Sequence, residues 1–119
     1  MSNVRAVSGD VFETDLPVPM GSEAGYHRPV IIFQAPELAG LSTVLCVPVT
    51  TNMDRLGILG SLAIARGDGG LRKDSVAQCH LLRALDKKHL RKRLGTLQPE
   101  TVEAVADAIL SAFGITVRP

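Results

Sequence analysis

The chain has 119 residues, 45% of them apolar and 21% charged, and a formal net charge of +1. That balance fits one globular domain with a modest core and excludes global disorder. With no Trp, one Tyr and three Phe, an aromatic stacking platform for single strands is disfavoured, and a nucleic-acid partner would need a local basic patch.

Residues 1–8 read as a loosely held N-terminal tail, 9–114 as a single domain and 115–119 as a C-terminal tail. Met1-Ser2-Asn3-Val4-Arg5 has no signal-peptide apolar stretch. No apolar run nears the roughly 20 residues of a bilayer span, so the cytoplasm is the expected compartment. Gly9 to Leu16 alternates, Val11 on one face and Phe12 on the other, and predicts a first strand. Pro17, Pro19, Gly21 and Gly25 mark a long loop. Pro29 to Phe33 is a β-branched run without helical period and predicts a buried strand. Pro36 to Gly40 reads as a connection with room for one helical turn.

Thr43 to Thr50 is apolar on both faces and predicts a central strand. Pro48 near its end marks a bulge or an unpaired position, because proline cannot donate to a ladder. Leu56 to Gly60 reads as a loop, Ser61 to Ala65 as a short strand, and Gly67-Asp68-Gly69-Gly70 as a turn cluster. Ser75 to Leu85 predicts one strand and Leu90 to Leu97 another, around a basic run. The period then changes. Val102, Val105, Ala106, Ile109, Leu110 and Phe113 line one helix face, with Pro99 at its first position and Gly114 to close it. Gln98 is a poor N-cap, so the start should fray. Short strands followed by one terminal helix describe a curved antiparallel sheet or small barrel packed by a helix.

Cys46 and Cys79 lie in strand-like segments without CxxC spacing and read as buried, reduced thiols. The three histidines, His27, His80 and His89, show no ligand spacing with them. No metal and no cofactor are expected.

Two clusters could carry chemistry. Gly25-Tyr26-His27-Arg28-Pro29 opens one strand and Val47-Pro48-Val49-Thr50-Thr51-Asn52 closes another. Together they supply a guanidinium, an imidazole, two hydroxyls and an amide, groups that suit a phosphodiester. Each also has a plain structural reading. Arg28 could pair at the surface with an acid such as Glu23, the threonines could simply be β-branched strand ends, and Asn52 could hold a loop. His27 ranks as a substrate contact or loop packer rather than an acid/base. The run Lys87-Lys88-His89-Leu90-Arg91-Lys92-Arg93 holds five of the thirteen Lys and Arg residues. It is the best electrostatic footprint for RNA or for an acidic partner, unless it is a solvated face.

These segments, with Gly9-Asp10-Val11-Phe12, Gly21-Ser22-Glu23 and Lys73-Asp74-Ser75-Val76-Ala77 leading to Leu82-Arg83-Ala84-Leu85-Asp86-Lys87, resemble the MazF/PemK family of toxin ribonucleases over roughly Gly9 to Gly114. The resemblance implies an SH3-like small β-barrel with a C-terminal helix. It implies the toxin of a type II toxin–antitoxin system, a metal-free, ribosome-independent and sequence-specific endoribonuclease. Arg28 and Thr50 take the catalytic positions; Ser22, Glu23, His27, Thr51, Asn52 and His80 take RNA-contact positions. A homodimer, a cognate antitoxin with a disordered acidic tail, and promoter DNA bound only through the antitoxin complex are implied as partners. The alternative is a toxin resembling the gyrase poison CcdB, which shares the fold and cleaves nothing. The chain departs from the family pattern in two places. Glu13 stands where an aromatic is usual, and His80-Leu81 where an acidic residue and Gln are common.

Overall fold

The computed structural model describes residues 5–15 and 28–116. The elements, in chain order, are β1 (Asp10–Thr14), β2 (Pro29–Ile32), β3 (Thr43–Thr50), β4 (Ser61–Ile64), β5 (Ser75–Gln78), β6 (Arg83–Asp86), β7 (Leu90–Thr96) and α1 (Pro99–Ala112). Short 3-10 helices interrupt the connections at Pro36–Leu38, Met53–Gly57, Asp68–Gly70, Cys79–Leu81 and Lys87–His89. All strand pairings are antiparallel.

Strand β3 is the hub. It pairs β2 along one edge, and β6 and then β5 along the other, so the sheet runs β4-β5-β3-β2-β1-β7 with β6 also on β3. Its residues alternate between two cores, as a period of two requires. Val44 and Cys46 join Phe12, Val30, Ile32, Leu85 and Leu90 on one face. Val47 and Val49 join Val11, Ile31 and Ile64 on the other, where Val105 and Ile109 of α1 cover them. Each such buried aliphatic contributes about 1.5–3 kcal/mol relative to exposure. The near-continuous apolar run from Thr43 reflects burial on both faces.

Pro48 lies opposite Val30 on the β2 side, but on the other edge β3 changes partners beside it. Val47 and Pro48 have no ladder partner there, between Cys46↔Arg83 and Val49↔Ala77. The missing proline N–H therefore falls where no bond is needed.

Two expectations are corrected. Ser75 to Leu85 is not one strand. From Val49↔Ala77 to Cys46↔Arg83, β3 advances three residues while its neighbour advances six. The three extra residues, Cys79-His80-Leu81, form a 3-10 turn that lifts out of the ladder. The fold expectation holds in its main terms, an antiparallel sheet with one C-terminal helix; among the described residues no ladder joins β4 to β7. Finally, the start of α1 does not depend on Gln98, which makes no side-chain cap. Asp68, thirty residues upstream, accepts from the Gln98 backbone N–H at 2.9 Å and from the Thr101 hydroxyl at 2.5 Å. A carboxylate at the positive helix end is also favourable electrostatically.

The expected tail is tied in before residue 9. Ala6 is buried, and the Ser8 hydroxyl donates to the Gln34 carbonyl and accepts from its N–H. The helix closes at Gly114, with φ +79, as its position past the last turn requires. The loop expected around Pro17 to Gly25 lies outside the described residues, as do positions 1–4 and 117–119.

Candidate active site

Arg28 immediately precedes β2. Its carbonyl accepts from Thr14 twice, from the N–H at 3.1 Å and from the hydroxyl at 2.6 Å. Pro29 biases the residue before it toward extended backbone, so Arg28 enters the strand in a fixed direction. The β2–β3 register pairs Ile31 with Val47 and Val30 with Pro48. Two residues further along, Arg28 falls opposite Thr50, the last residue of β3. Arg28 Nη1 donates to Thr50 Oγ1 at 3.5 Å, at the long end of hydrogen-bond distance.

Thr50 is buried, at 2% exposure. Its oxygen also accepts the Asn52 N–H at 3.1 Å. The Asn52 side chain in turn accepts the Asp54 N–H at 3.1 Å and caps the 3-10 helix Met53–Gly57. Asn52 therefore does hold a loop, and that loop pins the threonine. By alternation, Arg28 and Thr50 share the sheet face of Val30, Ile32 and Cys46, away from α1; Thr51 turns to the helix-side face and is exposed.

The structure brings Arg28, Thr50, Thr51 and Asn52 together at one end of the sheet. Ser22, Glu23 and His27 lie outside the described residues. His80 is exposed and is not placed with the pair. A Cβ on Gly60 would stand 3.1 Å from the His80 N and 3.1 Å from the Ala112 Cβ. That puts the Cys79–Leu81 turn beside the last turn of α1. Large apolar side chains are exposed around it, Leu59 at 70% and Phe113 at 64%. Phe113, expected on the buried stripe, is the C-cap and outruns the core beneath.

The basic run divides. Lys87 is buried, and its Nζ donates to the Ala39 carbonyl at 2.6 Å. It therefore ties the 3-10 helix Pro36–Leu38 to β6 rather than facing solvent. Arg91 pairs with Asp15 at 2.6 Å and Arg93 with Asp10 at 3.2 Å. Lys88 and Lys92 are exposed without an ion pair among the described residues. Strand β7 ends the sheet path, so its charges also discourage edge-to-edge association. Lys88, His89, Arg91 and Asp15 line a surface pocket of about 420 Å³.

Both cysteines are buried free thiols. Burial pushes Cys46 up to about 12 against the nearby Arg83 charge, and Cys79 up to about 11. Neither is poised as a nucleophile. Among the described residues, no group of three or more His, Cys, Asp or Glu could hold a metal ion. No helix among them is long and apolar enough to cross a membrane.

Residues 8–113 match the PemK-like, MazF-like toxins of type II toxin–antitoxin systems. The chain belongs to that family. Solved structures agree in fold. The chain is 23% identical to the Mycobacterium tuberculosis toxin MazF-mt6, with a TM-score of 0.74 over 91% of this chain and 99% of that one. A mycobacterial endoribonuclease in complex with its cognate antitoxin is 22% identical, with a TM-score of 0.76 over 94% and 98%. MazF from Deinococcus radiodurans is 17% identical, with a TM-score of 0.75 over 95% and 100%. Like these MazF structures, this toxin-family chain has an antiparallel sheet and one C-terminal helix.

Proposed function

We propose that this protein is a sequence-specific, ribosome-independent endoribonuclease that cuts single-stranded RNA as the toxin of a type II pair in the cytoplasm. The observation that carries the reading is the Arg28–Thr50 pair, set by register at the end of two central strands and held by Thr14 and Asn52. The solved relative described as an endoribonuclease supports it through the shared fold.

The RNA supplies its own nucleophile. The 2′-oxygen attacks the adjacent phosphorus as its proton is lost, the bond to the 5′-oxygen breaks, and that oxygen takes up a proton. The products are a 2′,3′-cyclic phosphate and a 5′-hydroxyl end. Negative charge builds on the non-bridging oxygens, and the Arg28 guanidinium stabilises it with a fixed positive fork. A guanidinium offers N–H donors and no acceptor, so Arg28 acts here as an electrostatic group rather than as a base. The Thr50 hydroxyl orients the phosphate or the attacking oxygen. Since the nucleophile belongs to the substrate, no metal-bound water is required.

Thr51 and Asn52 follow Thr50 in the chain, and in this reading they contact the flanking RNA. Ser22 and Glu23 are carried in the same role from the family resemblance, and His27 from its place beside Arg28 in the sequence. A homodimer would cover exposed apolar side chains such as Leu59, Phe113 and Ile115, and would bring His80 to the same RNA. The cognate antitoxin, whose counterpart accompanies the mycobacterial relative, would block the groove with an acidic tail. DNA would be bound only by that complex.

The test is purified protein with a long RNA lacking stable structure, in EDTA, with fragment ends sequenced. Discrete cuts with cyclic-phosphate and 5′-hydroxyl ends are expected. Cleavage lost in EDTA and restored by magnesium would contradict the mechanism. Intact RNA with stalled gyrase would replace it with the CcdB-like reading.

A further inference from the structure

On the other face of the same strand ends lies a pocket of about 240 Å³. It is built by a close crossing. The turn at Asp68–Gly70 presses on β7 so tightly that a Cβ on Gly70 would stand 2.1 Å from the Leu94 carbonyl oxygen. Gly69 and Gly70 also have positive φ, at +65 and +78, so only glycine fits there without strain. The crossing sets Leu71 against Leu94, and these two with Pro29 give the pocket its apolar lining.

The rest of the lining is polar and directional. Ser75 is buried and its hydroxyl donates to the Lys73 carbonyl at 2.8 Å, so only its lone pairs can face a ligand. The Glu13 carboxylate, half-buried, has no hydrogen bond or ion pair among the described residues. Thr51 is the one hydroxyl able to turn either way. Arg72 and Lys73 line the pocket, exposed and without an ion pair among the described residues. Pro29 and Thr51 are the chain neighbours of Arg28 and Thr50, so the pocket opens across the strand ends from the pair described above.

We propose that this pocket receives one nucleobase of the RNA, from a nucleotide flanking the cleaved phosphate, with that nucleotide's phosphate on Arg72 and Lys73. The inference rests on the ribonuclease reading and extends it to a base-selecting subsite. The volume is below the roughly 300–1,000 Å³ of drug-sized ligand sites, which suits a single ring system rather than a dinucleotide. Leucine and proline give the ring a flat apolar seat without a stacking partner, so affinity for one nucleotide is low. Two acceptors and one adaptable hydroxyl select a base edge that donates. An exocyclic amino group, as on cytosine, adenine or guanine, meets the Glu13 carboxylate. Uracil presents one N–H between two carbonyl oxygens, and those oxygens are repelled by it.

The test uses the isotope-labelled full chain, titrated separately with the four ribonucleoside 5′-monophosphates and with inorganic phosphate, read by NMR. The amino-bearing nucleotides should shift the Leu71 and Leu94 methyls and the Ser75 amide, binding about tenfold more tightly than UMP, the worth of one charge-assisted hydrogen bond. Inorganic phosphate should move only Arg72 and Lys73. Glu13→Gln should erase the discrimination against UMP while the shifts persist. The proposal is overturned if no nucleotide moves Leu71 and Leu94, or if UMP binds as well as the others. The titration involves no cleavage. A chain that cuts RNA but fails it loses only this subsite, and a chain that passes it without cutting RNA keeps the subsite and loses the ribonuclease reading.

Discussion

Arg28 and Thr50 face each other across the ends of β2 and β3, Nη1 to Oγ1 at 3.5 Å, Arg28 held through its carbonyl by Thr14 and Thr50 through its hydroxyl by the Asn52 N–H. Arg28→Ala should lower cleavage about a hundredfold to a thousandfold, the usual effect of removing one preorganised electrostatic contact. Arg28→Lys should recover little, because an ammonium lacks the planar fork. Near-normal activity in Arg28→Ala would remove this residue from the mechanism. Thr50→Val should slow cleavage and also cost about 1 kcal/mol in urea melts, since the Asn52 N–H loses its acceptor. Thr50→Ser should restore both.

In the basic run Lys88 and Lys92 are exposed whereas Lys87 is buried, and the ribonuclease reading gives the two kinds of lysine different effects. Lys88→Glu with Lys92→Glu should raise the apparent KM and flatten its salt dependence, because fewer counterions are released on binding. The rate at saturating RNA should hold. An unchanged salt slope would assign the run to edge protection. Lys87→Met should instead lower stability with no change in salt slope, since the Lys87 Nζ serves the Ala39 carbonyl.

Asp68 is a helix cap supplied from another element. Asp68→Ala should destabilise the protein by about 0.5–2 kcal/mol, seen as a lower urea midpoint and as faster amide exchange at Thr101 and Val102. Asp68→Asn, which keeps one acceptor oxygen, should lose less. Equal stability of all three proteins would show that Pro99 alone suffices to start α1.

His80 and Leu81 sit on the turn that leaves the ladder. Leu81 offers no side-chain donor or acceptor, whereas Gln offers both. Restoring Glu at 80 and Gln at 81 should therefore sharpen discrimination at one base of the cut motif and leave the others alone. Sequenced fragment ends from both proteins decide this; identical motifs would mean the turn does not reach RNA.

Much of the fold was legible because burial writes itself into period. The bounds of β3 follow from an apolar run ended by Thr50-Thr51-Asn52. Those of α1 follow from Pro99, a stripe through Val105 and Ile109, and Gly114. What depends on long-range contact was not. The Cys79–Leu81 turn interrupts a segment that reads as one strand, since an extra three residues against β3 leave no local mark. The Asp68 cap joins residues thirty apart, and Lys87 is buried within a run that reads as surface. In the candidate site, Arg28 and Thr50 stood out by residue type and family resemblance. Their being opposite one another is a matter of register, which no single strand specifies. The Gly70–Leu94 crossing, and the pocket beside it, had no signal beyond a cluster of glycines.

The most direct test of the central claim is one RNA oligonucleotide carrying the mapped cut site, made with and without a single 2′-deoxy sugar on the 5′ side of the cleaved phosphate. If the RNA's own hydroxyl attacks while Arg28 holds the phosphate, the all-ribose strand is cut to cyclic-phosphate and 5′-hydroxyl ends in EDTA. The deoxy strand should bind equally well and stay intact. Cleavage of the deoxy strand at an undiminished rate would contradict the account.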